Sequence, residues 1–190
     1  MASSYSSDLS LELITTGEKA GLWGTITNTN LQILQQAASG YVAVPMTSGS
    51  DVTLSLADGS DTANGKNLYL KLTGTMTASI SLIIPAATTG GTARRTYIIE
   101  DATDRTTANN YTINIKTAGS ASPVPLPEGA NVIVRSDGTD TALAFIKPGI
   151  KNITAATITT YTSVNGDQVV VDTQANPVTI TLPITPSITN

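Results

Sequence analysis

From Val52 onward, apolar residues recur at every second position in short bursts, and that rhythm restricts most of the chain to β-strands. Val52, Leu54 and Leu56 alternate with Thr53 and Ser55; Leu68, Leu70 and Leu72 with Tyr69 and Lys71; Ile80, Leu82 and Ile84 with Ser81 and Ile83. Each triplet lies on one face of a strand, and stacking such faces builds a core. Further strands are expected at Thr96–Glu100, Tyr111–Lys116, Asn131–Arg135 and Thr141–Ile146, the last two joined across Asp137-Gly138, a tight-hairpin signal. The stretches ADGSDTANGKN and AATTGGTARR carry the Gly, Asn and Asp that turns need and read as loops. With Tyr41–Pro45 as a first strand, the spacing is that of an antiparallel β-sandwich over residues 41–148.

One long stretch breaks the rhythm. Thr16 to Gly40 holds the single Trp, Trp23, and then Leu31, Leu34 and Ala38 at helical spacing, which predicts a short amphipathic helix. Thr27 or Asn28 is the expected N-cap, and Gly40 the expected positive-φ stop. Before it, residues 1–15 alternate weakly around Leu9, Leu11 and Leu13. Such an arm has too little apolar surface to fold alone and is expected to order against a neighbour.

From Ile150 the strand pattern restarts. TASISLIIP, ending at Pro85, matches ANPVTITLP, ending at Pro183, at an offset of 98 residues, and NLYLKLT and DQVVVDT precede them. The expectation is a second β-module over residues 149–190, incomplete as it stands. Either the natural chain continues or another subunit completes the sheet.

Composition narrows the function. The chain has no His and no Cys, which removes imidazole bases, thiolate nucleophiles, the usual Zn ligand sets and disulfides. A net charge of −4 with 13% charged residues offers no attraction to phosphate backbones or anionic membranes. About one residue in six is Thr, which suits half-wet pleated faces. The start MASSYSSDLSLEL lacks the basic and apolar regions of a secretory signal, and no run reaches the roughly 18 apolar residues of a membrane span.

Local clusters read as structure. Glu100, Asp101 and Asp104 read as a solvated turn, and DGSDTANG and DGTD lack the ligand alternation and closing Glu of a calcium loop. Arg94 and Arg95 form the only basic doublet, without interleaved aromatics. No catalytic, cofactor-binding or metal-binding residue is expected. Trp23 reads as packing for the helix, in its sharper form a hot spot in a protein–protein contact shared with Leu22, Leu31, Ile33 and Leu34; the alternative is an exposed aromatic platform for a sugar or partner.

The segment SSYSSDLSLELITTGEKAGLWGTITNTNLQILQQAASGY resembles the N-terminal region of virion structural proteins of marine tailed bacteriophages, of the tail fibre or fibre-like kind. The glycines, the Trp and the TNTNL run occur together and in order. YIIEDAT, YTINIKTAG, PLPEGANVIVRSDGT and SVNGDQVVVDTQANPVTITLP are similar to β-modules of such proteins. The resemblance implies a non-enzymatic part of a virus particle, made in the host cytoplasm, with the N-terminus mounted on the particle and β-modules projecting. It also implies homo-oligomers, trimers foremost. Partners would be a tail adaptor, nozzle, tube or capsid protein, with no nucleic acid and no membrane, and host glycans would be met only through regions beyond this chain.

The reading is therefore mostly β, with residues 1–40 as arm and helix for attachment, 41–148 as sandwich and 149–190 as the start of a second module. The docking interface is expected at Leu11, Leu13, Leu22, Trp23, Leu31, Ile33 and Leu34. A head-decoration or capsid-fibre protein is the alternative location. A glycan-binding module or depolymerase fragment, using loops Asp58–Lys66 and Thr88–Arg95, is the alternative class; 4% aromatics argue against sugar stacking.

Overall fold

A computed structural model describes residues 4–105, 111–147, 150–154, 160–162, 168–172 and 179–181. Two short strands, β1 (Ser4–Tyr5) and β2 (Glu12–Leu13), pair antiparallel and lead into the one α-helix among the described residues, α1 (Trp23–Ser39). Then come β3 (Tyr41–Pro45), β4 (Val52–Thr53), β5 (Tyr69–Thr75), β6 (Ile80–Ile84), the small hairpin β7 (Ala87–Thr88) and β8 (Gly91–Thr92), and β9 (Arg95–Asp104). The order continues with β10 (Ile113–Thr117), β11 (Val124–Leu126), β12 (Asn131–Ser136) and β13 (Thr141–Lys147). The chain is mostly β with one short helix, as the alternation and the single helical stretch lead one to expect.

Two sheets enclose the core. One has the order β13-β12-β9-β5-β3 and the other β11-β10-β6-β4. Inward residues of both form one buried cluster, among them Leu70, Leu72, Tyr97, Ile99, Val132 and Val134 from the first and Leu82, Ile84, Ile113, Ile115 and Leu126 from the second. Strand direction departs from expectation. Four pairings within these sheets, β3 with β5, β5 with β9, β4 with β6 and β6 with β10, are parallel, and three are antiparallel. The chain crosses from one sheet to the other after nearly every strand and returns beside its previous pass, so Tyr41 pairs with Tyr69 and Tyr69 with Ile98. This is coiling of the β-solenoid kind. Parallel sheets usually carry helices on both faces and lose alternation. Here one face looks into the coil and the other outward, so alternation survives and mimics an antiparallel sandwich.

The same winding recurs later. β14 (Ile150–Thr154) pairs parallel with β16 (Gln168–Asp172), and β15 (Thr160–Thr162) pairs parallel with β17 (Thr179–Thr181). β17 falls in the segment that matches that of β6 at the 98-residue offset, and β16 in DQVVVDT, which precedes it as NLYLKLT of β5 precedes β6. The sequence repeat therefore coincides with a repeat of parallel pairing.

The helix boundaries also differ from expectation. α1 starts at Trp23, four residues before Thr27, and Leu22 stands at the N-cap with no side-chain cap bond. A turn closed by the Leu22 N–H donating to the Lys19 carbonyl, 2.9 Å, sets the helix going earlier. Gly40 has φ −66° rather than a positive value. It is needed for space, since a Cβ there would lie 2.5 Å from Asn67 Oδ1 and 2.6 Å from the Gln36 carbonyl oxygen.

Candidate interaction surface

Among the described residues, no three His, Cys, Asp or Glu side chains are grouped to hold a metal, and no helix is long and apolar enough to cross a membrane. The acidic trio takes three environments. Glu100 accepts a 2.6 Å bond from the Tyr69 hydroxyl and pairs with Lys71 at 3.0 Å. These bonds hold its carboxyl below the usual range, and the shared hydrogen bond pushes the Tyr69 hydroxyl up to about 12. Asp104 is exposed. Asp101 is buried and bridged to Arg105 at 2.6 Å, so it is a core clasp and not part of a solvated turn. The basic doublet splits in the same way: Arg94 is exposed and Arg95 buried, which leaves no paired basic patch.

The arm orders against its own chain. The Gly59 N–H donates to the Ser10 carbonyl at 2.9 Å, the Thr88 hydroxyl to the Ser7 carbonyl at 2.8 Å, and the Arg94 N–H to Asp8 Oδ1 at 2.9 Å. Ser10 is fully buried and adopts φ 57°. At the other end, Asn30 of α1 grips Glu12 twice: its Oδ1 accepts the Glu12 N–H at 3.0 Å and its Nδ2 donates to the Glu12 carbonyl at 2.9 Å. Both loops considered for glycan binding thus carry the arm.

Anchored this way, α1 has one buried side and one open apolar side. Ile33 is fully buried and Ile26 and Ala37 are half-buried, on one face at intervals of seven and four residues. Trp23, Leu31 and Leu34 run along a different face and are 63%, 57% and 42% exposed; Leu22 at the start of the helix and Leu13 on β2 are 54% and 50% exposed. Asn28, Gln32, Gln35 and Ser39 form the polar remainder, and the helix carries no charged residue. Of the expected docking residues, Leu13, Leu22, Trp23, Leu31 and Leu34 therefore stand open, and Leu11 is half-buried. Ile33 is spent on the chain's own packing and is withdrawn from the surface. Tyr41, 59% exposed and stacked on Tyr69 with ring centroids 5.7 Å apart, is a sixth open apolar group that helical periodicity could not reveal. A cavity of about 190 Å³ opens between β2 and α1, lined by Glu12, Thr25, Ile26, Thr29, Asn30 and Gly59.

The short turn Asn64–Lys66, which packs against α1, holds a buried lysine that loop-like composition concealed. Lys66 is 0% exposed, and its Nζ has no hydrogen-bond partner. Burial and then the nearby Arg95 charge lower its pKa from 10.5 to about 8, against the opposing pull of Asp58 and Asp61. Below pH 8 the amine is charged in folded and unfolded chains alike, and the folded state bears the cost of burying it. Between pH 8 and 10.5 the unfolded chain binds more protons, so stability gains with rising pH. Lys66→Met is expected to raise the unfolding free energy by about 1–3 kcal/mol at neutral pH. Urea unfolding of both proteins should show the advantage shrinking between pH 8 and 10.5; a constant difference would contradict it.

Comparison with protein-family models, curated proteins and solved structures finds no match to this chain.

Proposed function

We propose that this protein is a non-enzymatic structural component of a tailed-bacteriophage virion, a tail-fibre protein that mounts on the particle through its arm and helix. The observation that carries the reading is the concentration of open apolar side chains. Among the described residues, five of the six large exposed hydrophobic residues lie between Leu13 and Leu34. Exposed apolar groups scattered singly are ordinary, whereas Trp23, Leu31 and Leu34 gather on one side of α1, as a contact surface requires. The helix is fixed at two points, since Asn30 ties it to the arm and the Gln36 carbonyl accepts the Leu68 N–H at 3.0 Å, just ahead of β5. The virion assignment itself rests on the resemblance of residues 3–41 to fibre N-termini. The coils of β3–β6 and β9–β10, followed by the β14–β17 winding, suit a projecting spacer because each pass packs on its neighbours.

Gold-labelled antibodies against residues 41–147, applied to purified particles and imaged, test the assignment. Label on the tail is the expected result. Label confined to the head would overturn the fibre assignment in favour of a decoration protein, and unlabelled particles that lack the chain by mass spectrometry would overturn the virion reading.

A further inference from the structure

We propose that Lys66 and Arg95 together form an internal site for a small monovalent anion, a halide such as chloride. The site is independent of how the chain mounts on a particle. Lys66 closes the turn Asn64–Lys66, and Arg95 opens β9, where it shares the buried side of the strand with Tyr97 and Ile99. Lys66 is 0% exposed and Arg95 9% exposed. Neither belongs to any ion pair among the described residues. Arg95 Nη1 donates one long bond, 3.4 Å, to the Lys66 carbonyl, while Arg95 Nε, Arg95 Nη2 and Lys66 Nζ are buried with no hydrogen-bond partner. Orphaned buried donors in a native fold call for a bound water or ion. Water would satisfy the donors alone, whereas an anion satisfies the donors and neutralises charge that is costly to bury uncompensated.

The chain's own carboxylates do not supply that counter-charge. Arg95 acts on Lys66 more strongly than Asp58 or Asp61 does, and Asp8 acts on Arg95 only behind burial and Tyr97. Asp58 Oδ2 accepts the Thr89 N–H at 3.3 Å and Asp8 Oδ1 the Arg94 N–H at 2.9 Å. Asp58 Oδ1 is itself buried without a partner, which puts it out of hydrogen-bond reach of Lys66. Burial also selects the ligand, because a multiply charged oxyanion costs far more to strip of water than a single small anion. The two cations are held in place by the fold. The Tyr97 hydroxyl donates to the Gly65 carbonyl at 2.8 Å and the Gly65 N–H to the Ser55 carbonyl at 2.9 Å, so turn and strand are fixed to each other before an anion arrives. An anion that binds only the folded chain stabilises it in proportion to its occupancy.

The test is urea unfolding of the full chain at neutral pH and fixed ionic strength, with chloride exchanged for gluconate. In the parent, the unfolding equilibrium constant should fall about tenfold between about 5 and about 500 mM chloride, as a site with a Kd of about 50 mM gives. In Lys66→Met the dependence should vanish, so the advantage expected of that variant narrows as chloride is added. Comparing the two proteins cancels the general effects of salt. Crystals of the parent grown in bromide provide a second readout that does not depend on the variant's folding: an anomalous difference peak is expected beside Lys66 Nζ and Arg95 Nε. Equal chloride dependence in parent and Lys66→Met, or density at that position with no anomalous signal, would mean that water alone fills the site and would overturn the proposal.

Discussion

Asp101→Ala is expected to lower the unfolding free energy by about 3–5 kcal/mol, the cost of leaving one member of a buried ion pair without its partner. Asp101 lies on the inward side of β9, in register with Leu72 of β5. Its Oδ1 accepts the Thr103 N–H at 3.1 Å and the Thr103 hydroxyl at 2.6 Å; its Oδ2 accepts Arg105 Nη2 at 2.6 Å and the Gly129 N–H at 2.9 Å. Arg105 in turn donates to the Leu126 carbonyl at 2.9 Å. One carboxylate therefore ties the end of β9 to β11 and to the turn that feeds β12. Removing it strands four donors, among them a guanidinium that is 5% exposed. For a chain of this size the loss corresponds to a fall of roughly 6–20 °C in Tm. Asp104→Ala, at an exposed position nearby, should stay within about 0.5 kcal/mol of the parent. Asp101→Leu with Arg105→Met should cost less than Asp101→Ala, because no buried charge is left alone. Thermal and urea unfolding followed by circular dichroism measure all three. An Asp101→Ala protein within 1 kcal/mol of the parent would contradict the clasp.

That carboxylate also marks where the sequence was legible and where it was not. Of the three alternating triplets, Leu54 and Leu56, Leu70 and Leu72, and Ile80, Leu82 and Ile84 are buried, and Val52 and Leu68 are half-buried. Carried two residues past Ile99, the same rule would have placed Asp101 inside, but an acidic residue among turn-forming neighbours reads as solvated. Lys66 was hidden for a similar reason, since Asn64-Gly65-Lys66 has loop composition. The deciding contacts, Tyr97 donating to the Gly65 carbonyl at 2.8 Å and Arg95 donating to the Lys66 carbonyl at 3.4 Å, come from residues about 30 positions away. Strand direction was not legible at all. A period of two records which face is buried and is silent on whether the next strand returns by a hairpin or crosses to the opposite sheet. For the candidate surface, helical spacing identified Trp23, Leu31 and Leu34. It could not separate them from Ile33, because which apolar side of a helix is buried depends on where the arm and β-coil hold it. Val124–Leu126 escaped notice as strand β11, because its prolines, Pro123, Pro125 and Pro127, read as breakers although an edge strand tolerates them.

The proposed mount is the open face of α1, and Trp23→Ala combined with Leu31→Ala tests it most directly. Both side chains are more than half exposed, so truncating them should shift the unfolding free energy of the isolated protein by no more than about 0.5 kcal/mol. In a docked state each contributes about 1.5–3 kcal/mol on full burial. Losing both weakens attachment of one protomer by a factor of about a hundred or more, at tenfold per 1.4 kcal/mol. Where several linked copies mount together, the deficit compounds. The measurement is the number of copies per purified particle, parent against variant, by quantitative mass spectrometry, with unfolding curves of both proteins alongside. The prediction is a variant that folds normally and is nearly absent from particles. Normal copy number for a normally folded variant would contradict the claim that this face is the mount.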